Sequence, residues 1–336
     1  MLKQCVTCAL LQTRPPSEIV IVDASDDWQS NRDQIEALVG GSVPVRYLPA
    51  PVRSSTVQRN TGIRACSSDI CMLIDDDSLM HADCAEVIMT IYEADQDEEI
   101  LGIAGVEGPS PLTIPDVARK ESSGSSGRER QMTSSRFKAL LWRELFLMSR
   151  EANFIPYSGP VGSYVPEWAR EQGLNLVPAI QLPGCRMTIR RSAGLKEPFE
   201  PAFLSYSPGE DFDISYRLSR TGAICIAKSA QIYHHEVAAS RIRREQELVL
   251  SICNVAYLLR RHSPNLSRDK KRWVILMVRR VLAEFLKDGL SRRWRFPQWR
   301  ATFRAAALSQ RILALPESAD IAEQYAHIQR NILASK

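Results

Sequence analysis

Ile70-Cys71-Met72-Leu73-Ile74-Asp75-Asp76-Asp77 sets five apolar residues directly against three aspartates. An apolar run of this length reads as a strand buried on both faces, and the acids mark where it leaves the sheet. Three adjacent carboxylates repel one another unless a counter-charge lies among them. Oxygen donors suit a divalent cation, Mg2+ or Mn2+, and Mg2+ is commonly held by one or two carboxylates together with substrate phosphates. A solvated acidic turn is the plainer alternative. Placement at a strand end favours function, because ligands of open α/β sheets bind at the carboxyl ends of strands.

The chain on either side repeats that design. Glu18-Ile-Val-Ile-Val-Asp23 is a second β-branched run ended by an acid, so Asp23 is expected at the same edge. Helices are predicted over 3–12, 31–39, 55–67 and 82–95, and further strands over 45–48 and 100–106. Strands alternating with helices imply an α/β fold, a Rossmann-like, doubly wound and mostly parallel sheet covered on both faces. Residues 120–135 are rich in Ser, Gly and charge and read as a loop or lid. An apolar helix is predicted over 137–148, and 153–183 reads as irregular surface. Order returns with a strand over 186–190, a helix over 211–222, and short strands over 223–227 and 231–234.

Composition narrows the class. With 336 residues, 44% apolar and 24% charged, the chain can bury a large core without staples. The eight cysteines, at 5, 8, 66, 71, 84, 185, 225 and 253, sit mostly in apolar segments and form no metal or disulfide framework. Cys5 and Cys8 are read as structural, and the compartment as reducing, hence cytoplasmic. The longest apolar stretch, 248–259, is too short to span a bilayer, and the first residues do not resemble a secretory signal. Net charge is +4, yet 241–304 alone carries 17 Lys and Arg against 5 Asp and Glu. The acidic remainder suits a divalent cation, and the basic segment suits an anionic partner.

Several motifs stand in a familiar order. Residues 12–23, Arg59-Asn60-x-Gly62-Ile63 and Leu73-Ile-Asp-Asp-Asp77 are followed by Gly184-Cys-Arg-Met-x-Ile-Arg-Arg191 and Gly209-Glu-Asp-Phe-Asp-Ile-Ser-Tyr-Arg217-Leu-x-Arg-x-Gly222. Together, over about residues 9–240, they resemble the family 2 glycosyltransferases of GT-A fold, of the bacterial polysaccharide-biosynthesis type. The resemblance implies a metal-dependent, inverting transfer of a sugar from a nucleotide-diphosphate donor to a polysaccharide or lipid-linked acceptor. It assigns Asp23, Arg59, Asn60, Asp75 and Asp76 to the nucleotide sugar. It gives Asp77, Asp75 and His234 to Mn2+ or Mg2+, with His235 as the alternative ligand. Asp211 becomes the general base, and Glu210 beside it is the second catalytic residue. Ala24 stands where the family usually has a second acid. The family's first strand is expected to have no counterpart among these residues, since they read as opening in the helix that would follow it.

The physical chemistry of the residues allows plainer roles too. Glu210 and Asp211 also suit a helix N-terminus. Arg59 and Arg64 lie roughly 140° apart on a helix, so Arg59 can face a ligand while Arg64 faces water. The tail interleaves cations with Trp and aliphatic residues, as in helices that lie on an anionic membrane; helices packed on the body with a solvated basic face would read alike. No nucleic-acid-binding module is recognisable, and nucleic acid is not expected as a partner. The expected divisions are 1–115 for the donor half, 116–183 for an insertion, 184–240 for the acceptor half and 241–336 for a basic helical extension. The protein is expected in the cytoplasm, at the inner face of the membrane. A non-catalytic GT-A-like scaffold and a nucleotidyltransferase are the rival readings.

Overall fold

Apolar strands that alternate with amphipathic helices bury both partners only if the helices lie on the sheet. The computed structural model, which describes residues 1–111, 153–235, 242–316 and 320–334, shows this arrangement in the first of two units. Unit 1 comprises 1–113 and 161–241, and unit 2 comprises 114–160 and 242–336.

Unit 1 opens with α1 (Leu2–Leu10), β1 (Ile19–Asp23), α2 (Trp28–Val39), β2 (Val45–Pro49) and α3 (Ser55–Ala65). Strands β1 and β2 pair in parallel as a two-stranded sheet, with Val6, Ile35, Val39 and Tyr47 in its core. Helix α2 stops at Gly40, whose φ of +58° is the left-handed conformation that glycine adopts without steric cost. Helix α3 starts on Ser54, whose hydroxyl accepts from the Val57 N–H.

A six-stranded sheet follows. Its strands are β3 (Ile70–Ile74), β4 (Ser78–Met80), β5 (Ile100–Glu107), β6 (Leu176–Pro178), β7 (Arg186–Arg190) and β8 (Ala223–His234). The order is β3-β7-β5-β8-β4, with β6 also on β8. Strands β3, β5 and β8 run one way, and β4, β6 and β7 are laid antiparallel among them. Around the sheet lie α4 (Cys84–Ala94), α5 (Glu167–Glu171), α6 (Arg191–Lys196) and α7 (Glu210–Leu218). The α/β class is as the sequence implies; the βα alternation carries no sign of the antiparallel strands.

Two expectations change. The strands predicted over 223–227 and 231–234 are one strand, β8, whose register against β5 shifts between Gly105 and Val106. That irregularity produces the break in the hydrophobic pattern. The 153–183 stretch is not merely surface: it contributes α5 and β6 and buries Phe154, Tyr157, Val165 and Leu182. Proline and glycine signalled turns there, and turns do not preclude burial. The loop expected at 120–135 and the helix at 137–148 lie outside the described residues.

Unit 2 is helical, with α8 (Arg244–His262), α9 (Leu266–Leu290), α10 (Pro297–Leu313) and α11 (Ile321–Ala334). The apolar stretch of α8 is buried; its Tyr257 stacks on Tyr325 at 4.4 Å, and Tyr325 donates to Asn254. Trp273 donates to Ser309 at 2.8 Å, joining α9 to α10. Asp288 caps α10 by accepting from the Gln298 and Trp299 N–H groups. Among the described residues, no helix is long and apolar enough to cross a membrane.

Candidate active site

Strand β3 delivers Asp75 to the edge of the sheet, where a tight turn closed by the Ser78 N–H on the Asp75 carbonyl sends the chain back as β4. Pairing of β4 with β8 sets Ser78 opposite His234. Asp77 is thereby fixed beside the histidine pair: its carbonyl accepts from the His235 N–H at 2.8 Å, and its Oδ1 lies 3.3 Å from His234 Nε2. The candidate ligand atoms of Asp75, Asp77 and His234 all lie within 4.8 Å of one another.

This group fits a divalent cation. Asp77 Oδ1 is buried and accepts no hydrogen bond, which is costly for a carboxylate oxygen unless another positive partner is present. The two carboxylates suit Mn2+ or Mg2+, and the imidazole is a donor that a transition metal such as Mn2+ takes more readily than Mg2+. His235 does not join them; its Nδ1 lies 3.4 Å from the Tyr233 hydroxyl. Asp76 faces outward, and desolvation together with the charges of Asp77 and Asp75 pushes its carboxyl above the ordinary range.

Arg59 links this group to the start of α7. Its guanidinium donates to Asp75 Oδ1 at 2.8 Å and pairs with Glu210 Oε1, while lying over the Phe199 ring at 5.5 Å. Burial disfavours its charge, but Glu210 and Asp75 outweigh that and raise its pKa. Burial pushes the Glu210 carboxyl up to about 8 against the opposing pull of Arg59, and Glu210 Oε2 is buried without a hydrogen-bond partner. Gly184 leaves room for the pair: a Cβ there would lie 2.9 Å and 3.0 Å from the two Arg59 terminal nitrogens and 3.0 Å from Glu210 Oε1.

Asp211 is oriented by different partners. Its Oδ2 accepts from Gln181 Nε2 at 2.6 Å and from the Gly184 N–H at 3.4 Å, and its Oδ1 accepts from the Phe212 N–H. These contacts hold the carboxylate in one orientation at the start of α7.

Asp23, at the end of β1, accepts from Tyr47 at 2.6 Å, from the Ser25 N–H at 2.7 Å and from Asn31 at 3.1 Å. Burial alone would raise its carboxyl; these hydrogen bonds outweigh it and hold the group below its usual value. Asn60 is buried, and both ends of its amide bond the backbone of Phe199, donating to the carbonyl and accepting from the N–H at 2.8 and 2.9 Å. It thus clamps the loop under Arg59. Gln181 has no sequence signal, and Gly184 and Arg186 stand in the motif of residues 184–191 without an assigned role. The β3–β7 register sets Arg186 across from Ile74, next to Asp75; its Nη1 reaches Glu107 at 3.3 Å, and its buried Nε has no hydrogen-bond partner. All eight cysteines are free thiols, and Cys5 packs its sulfur 3.6 Å from the Asp75 carbonyl.

Residues 1–153 match the family model described as glycosyl transferase family 2. The matched part contains Asp23, Arg59 and the three aspartates, whereas Gln181, Asp211 and His234 lie beyond it. No curated protein matches the chain. Solved structures similar to it include a crystal structure of GalNAc-T7 with UDP, GalNAc and Mn2+, at 12% identity and a TM-score of 0.45, covering 75% of this chain and 43% of that one. They also include residues 1–349 of S. aureus TarS in complex with UDP-GlcNAc, at 12% identity and a TM-score of 0.49, covering 98% of this chain and 84% of that one. The chain thus spans less than half the length of the first of these two.

Proposed function

We propose that the protein is a glycosyltransferase that moves a sugar from a nucleotide-diphosphate donor to a hydroxyl of a polysaccharide or lipid-linked glycan, with inversion at the sugar carbon. The observation that carries this reading is the Asp75, Asp77 and His234 group at the end of β3, within a unit whose first part matches glycosyl transferase family 2. In this account Asp75, Asp77 and His234 hold Mn2+ or Mg2+, and such a cation offsets charge on a departing diphosphate. Asp23 faces the base, while Arg59 and Asp76 face the donor and Asn60 holds the loop beneath Arg59. Asp211 takes the proton of the acceptor hydroxyl as its oxygen bonds to the sugar carbon. The bond from that carbon to the diphosphate breaks, and the diphosphate leaves with the electron pair. Glu210 positions Arg59 rather than moving a proton. The eight free thiols suit the reducing cytoplasm, where we place the reaction.

The test is turnover against binding. With a panel of nucleotide sugars, Asp211→Asn is expected to lower release of nucleoside diphosphate by about 10²–10⁴-fold while leaving donor binding unchanged. Equal turnover by Asp211→Asn would remove Asp211 from the chemistry. Donor binding by the wild type without any turnover would favour the scaffold reading.

A further inference from the structure

Helix α9 is apolar on its outward face as well as on its inward one. Its inward face buries Trp273, Leu276, Met277 and Ala283 together with Asp269, Glu284 and Asp288, and mostly covers Arg280. Its outward face carries Ile275, Val278, Leu282, Phe285, Leu286 and Leu290. These are exposed, Ile275 and Val278 at 56% and Leu290 at 76%. At 100° per residue they fall on one arc of the helix, and from Ile275 to Leu290 the stripe runs for about 22 Å. The helix already has a buried apolar face, and a second, contiguous exposed arc of this size marks an interaction surface.

The stripe continues around the turn into α10. Phe285 stacks on Phe296 at 5.0 Å, Trp299 meets both rings edge-on, and Trp299 in turn lies 6.0 Å from Phe303. Trp294 on the connecting turn is 73% exposed. Charge identifies the partner. Residues 268–304 contain twelve Lys and Arg against three Asp and Glu, and all three acids are the buried ones on α9. Lys271, Arg272, Arg279, Arg292, Arg295 and Arg300 are exposed. The surface offered by this span is therefore apolar with only positive charge around it.

We propose that the outward face of α9 and the α9–α10 turn lie in the interface of an anionic lipid bilayer, with the apolar arc among the acyl chains and the arginines at the head groups. A large apolar face, Trp at its edge and a cationic rim are the features that hold a helix in the membrane plane, and none requires the helix to cross. A second copy of the chain fits less well, because a two-fold contact through this face would bring the two cationic rims together. The inference stands on unit 2 alone and does not depend on sugar transfer.

Flotation of the full chain with vesicles tests it. Binding is expected to vesicles of phosphatidylcholine mixed with phosphatidylglycerol, to be absent with phosphatidylcholine alone, and to weaken as salt rises. The double variant Val278→Glu, Leu282→Glu is expected to bind anionic vesicles at least about tenfold more weakly, since it removes two exposed apolar side chains and adds two negative charges. Both positions are exposed, and an unchanged melting curve would show that the fold is intact. Arg292→Glu with Arg295→Glu leaves the apolar arc intact and is expected to weaken binding as well. Wild-type protein that fails to bind anionic vesicles would overturn the proposal, as would equal binding by the apolar double variant. A wild-type dimer that the double variant converts to monomer, with no vesicle binding by either, would assign the face to a second copy instead.

Discussion

Glu210 is a carboxyl about 8% exposed, paired with one guanidinium that is itself shared with Asp75. Such a pair has no water to replace a lost partner, so its geometry matters more than its Coulomb energy. Gly184 is where that geometry is most easily tested. Arg59 is held at both ends and cannot swing aside, so a methyl group at 184 must displace the pair. Gly184→Ala is expected to cost about 1–3 kcal/mol in denaturant unfolding and to loosen donor binding, because a buried charge is left imperfectly paired. The acids of the site were legible in the sequence because they cluster after apolar runs. Gln181 was not, since a lone glutamine in a proline-bearing stretch has no pattern to mark it. Arg186 stood in a visible motif, but its nearness to Asp75 did not show: the two are more than a hundred positions apart and are brought close only by the β3–β7 register.

At the scale of elements, β1, β2, β3 and β5 could be read because each is a β-branched or apolar run with a turn signal behind it. Strands β4 and β6 have three residues each and no such signature. Yet β4 fixes the site, since its pairing with β8 brings Asp77 to His234. Glu18, just before β1, ties that strand to the turn that precedes β3. Its Oε1 accepts from the N–H and hydroxyl groups of both Ser67 and Ser68. Burial alone would raise this carboxyl, but the hydrogen bonds outweigh it and hold the group at about 2 against an ordinary 4.5. A carboxyl lowered on folding stabilises the protein fully above its unfolded value, and the contribution is lost as pH falls through its folded value. Stability should therefore decline from pH 4.5 toward 2. Glu18→Gln is expected to cost about 1–2 kcal/mol at neutral pH and to flatten that decline, as measured by urea unfolding across the acid range.

For the whole molecule, the charge asymmetry was plain from the sequence, and so was the amphipathic character of 268–287. Which arc of the helix points inward was not. Hydrophobic periodicity does not say which apolar arc is buried; the inward one, with Trp273, Leu276 and Met277, also takes in the acids, because Asp288 caps α10 and Asp269 accepts from Ser263 and Arg268. The parts of the molecule are thus given different chemistry: unit 1 gathers acids at a sheet edge, and unit 2 presents a cationic apolar surface. The proposed function requires that Asp75, Asp77 and His234 hold a cation on which a nucleotide-diphosphate donor depends. Calorimetric titration of UDP, GDP and dTDP into the wild type and Asp77→Ala, with and without Mn2+, tests it most directly. Binding of one nucleotide that requires Mn2+ and disappears in Asp77→Ala is the predicted result. Nucleotide binding that is indifferent to both the metal and the substitution would contradict it.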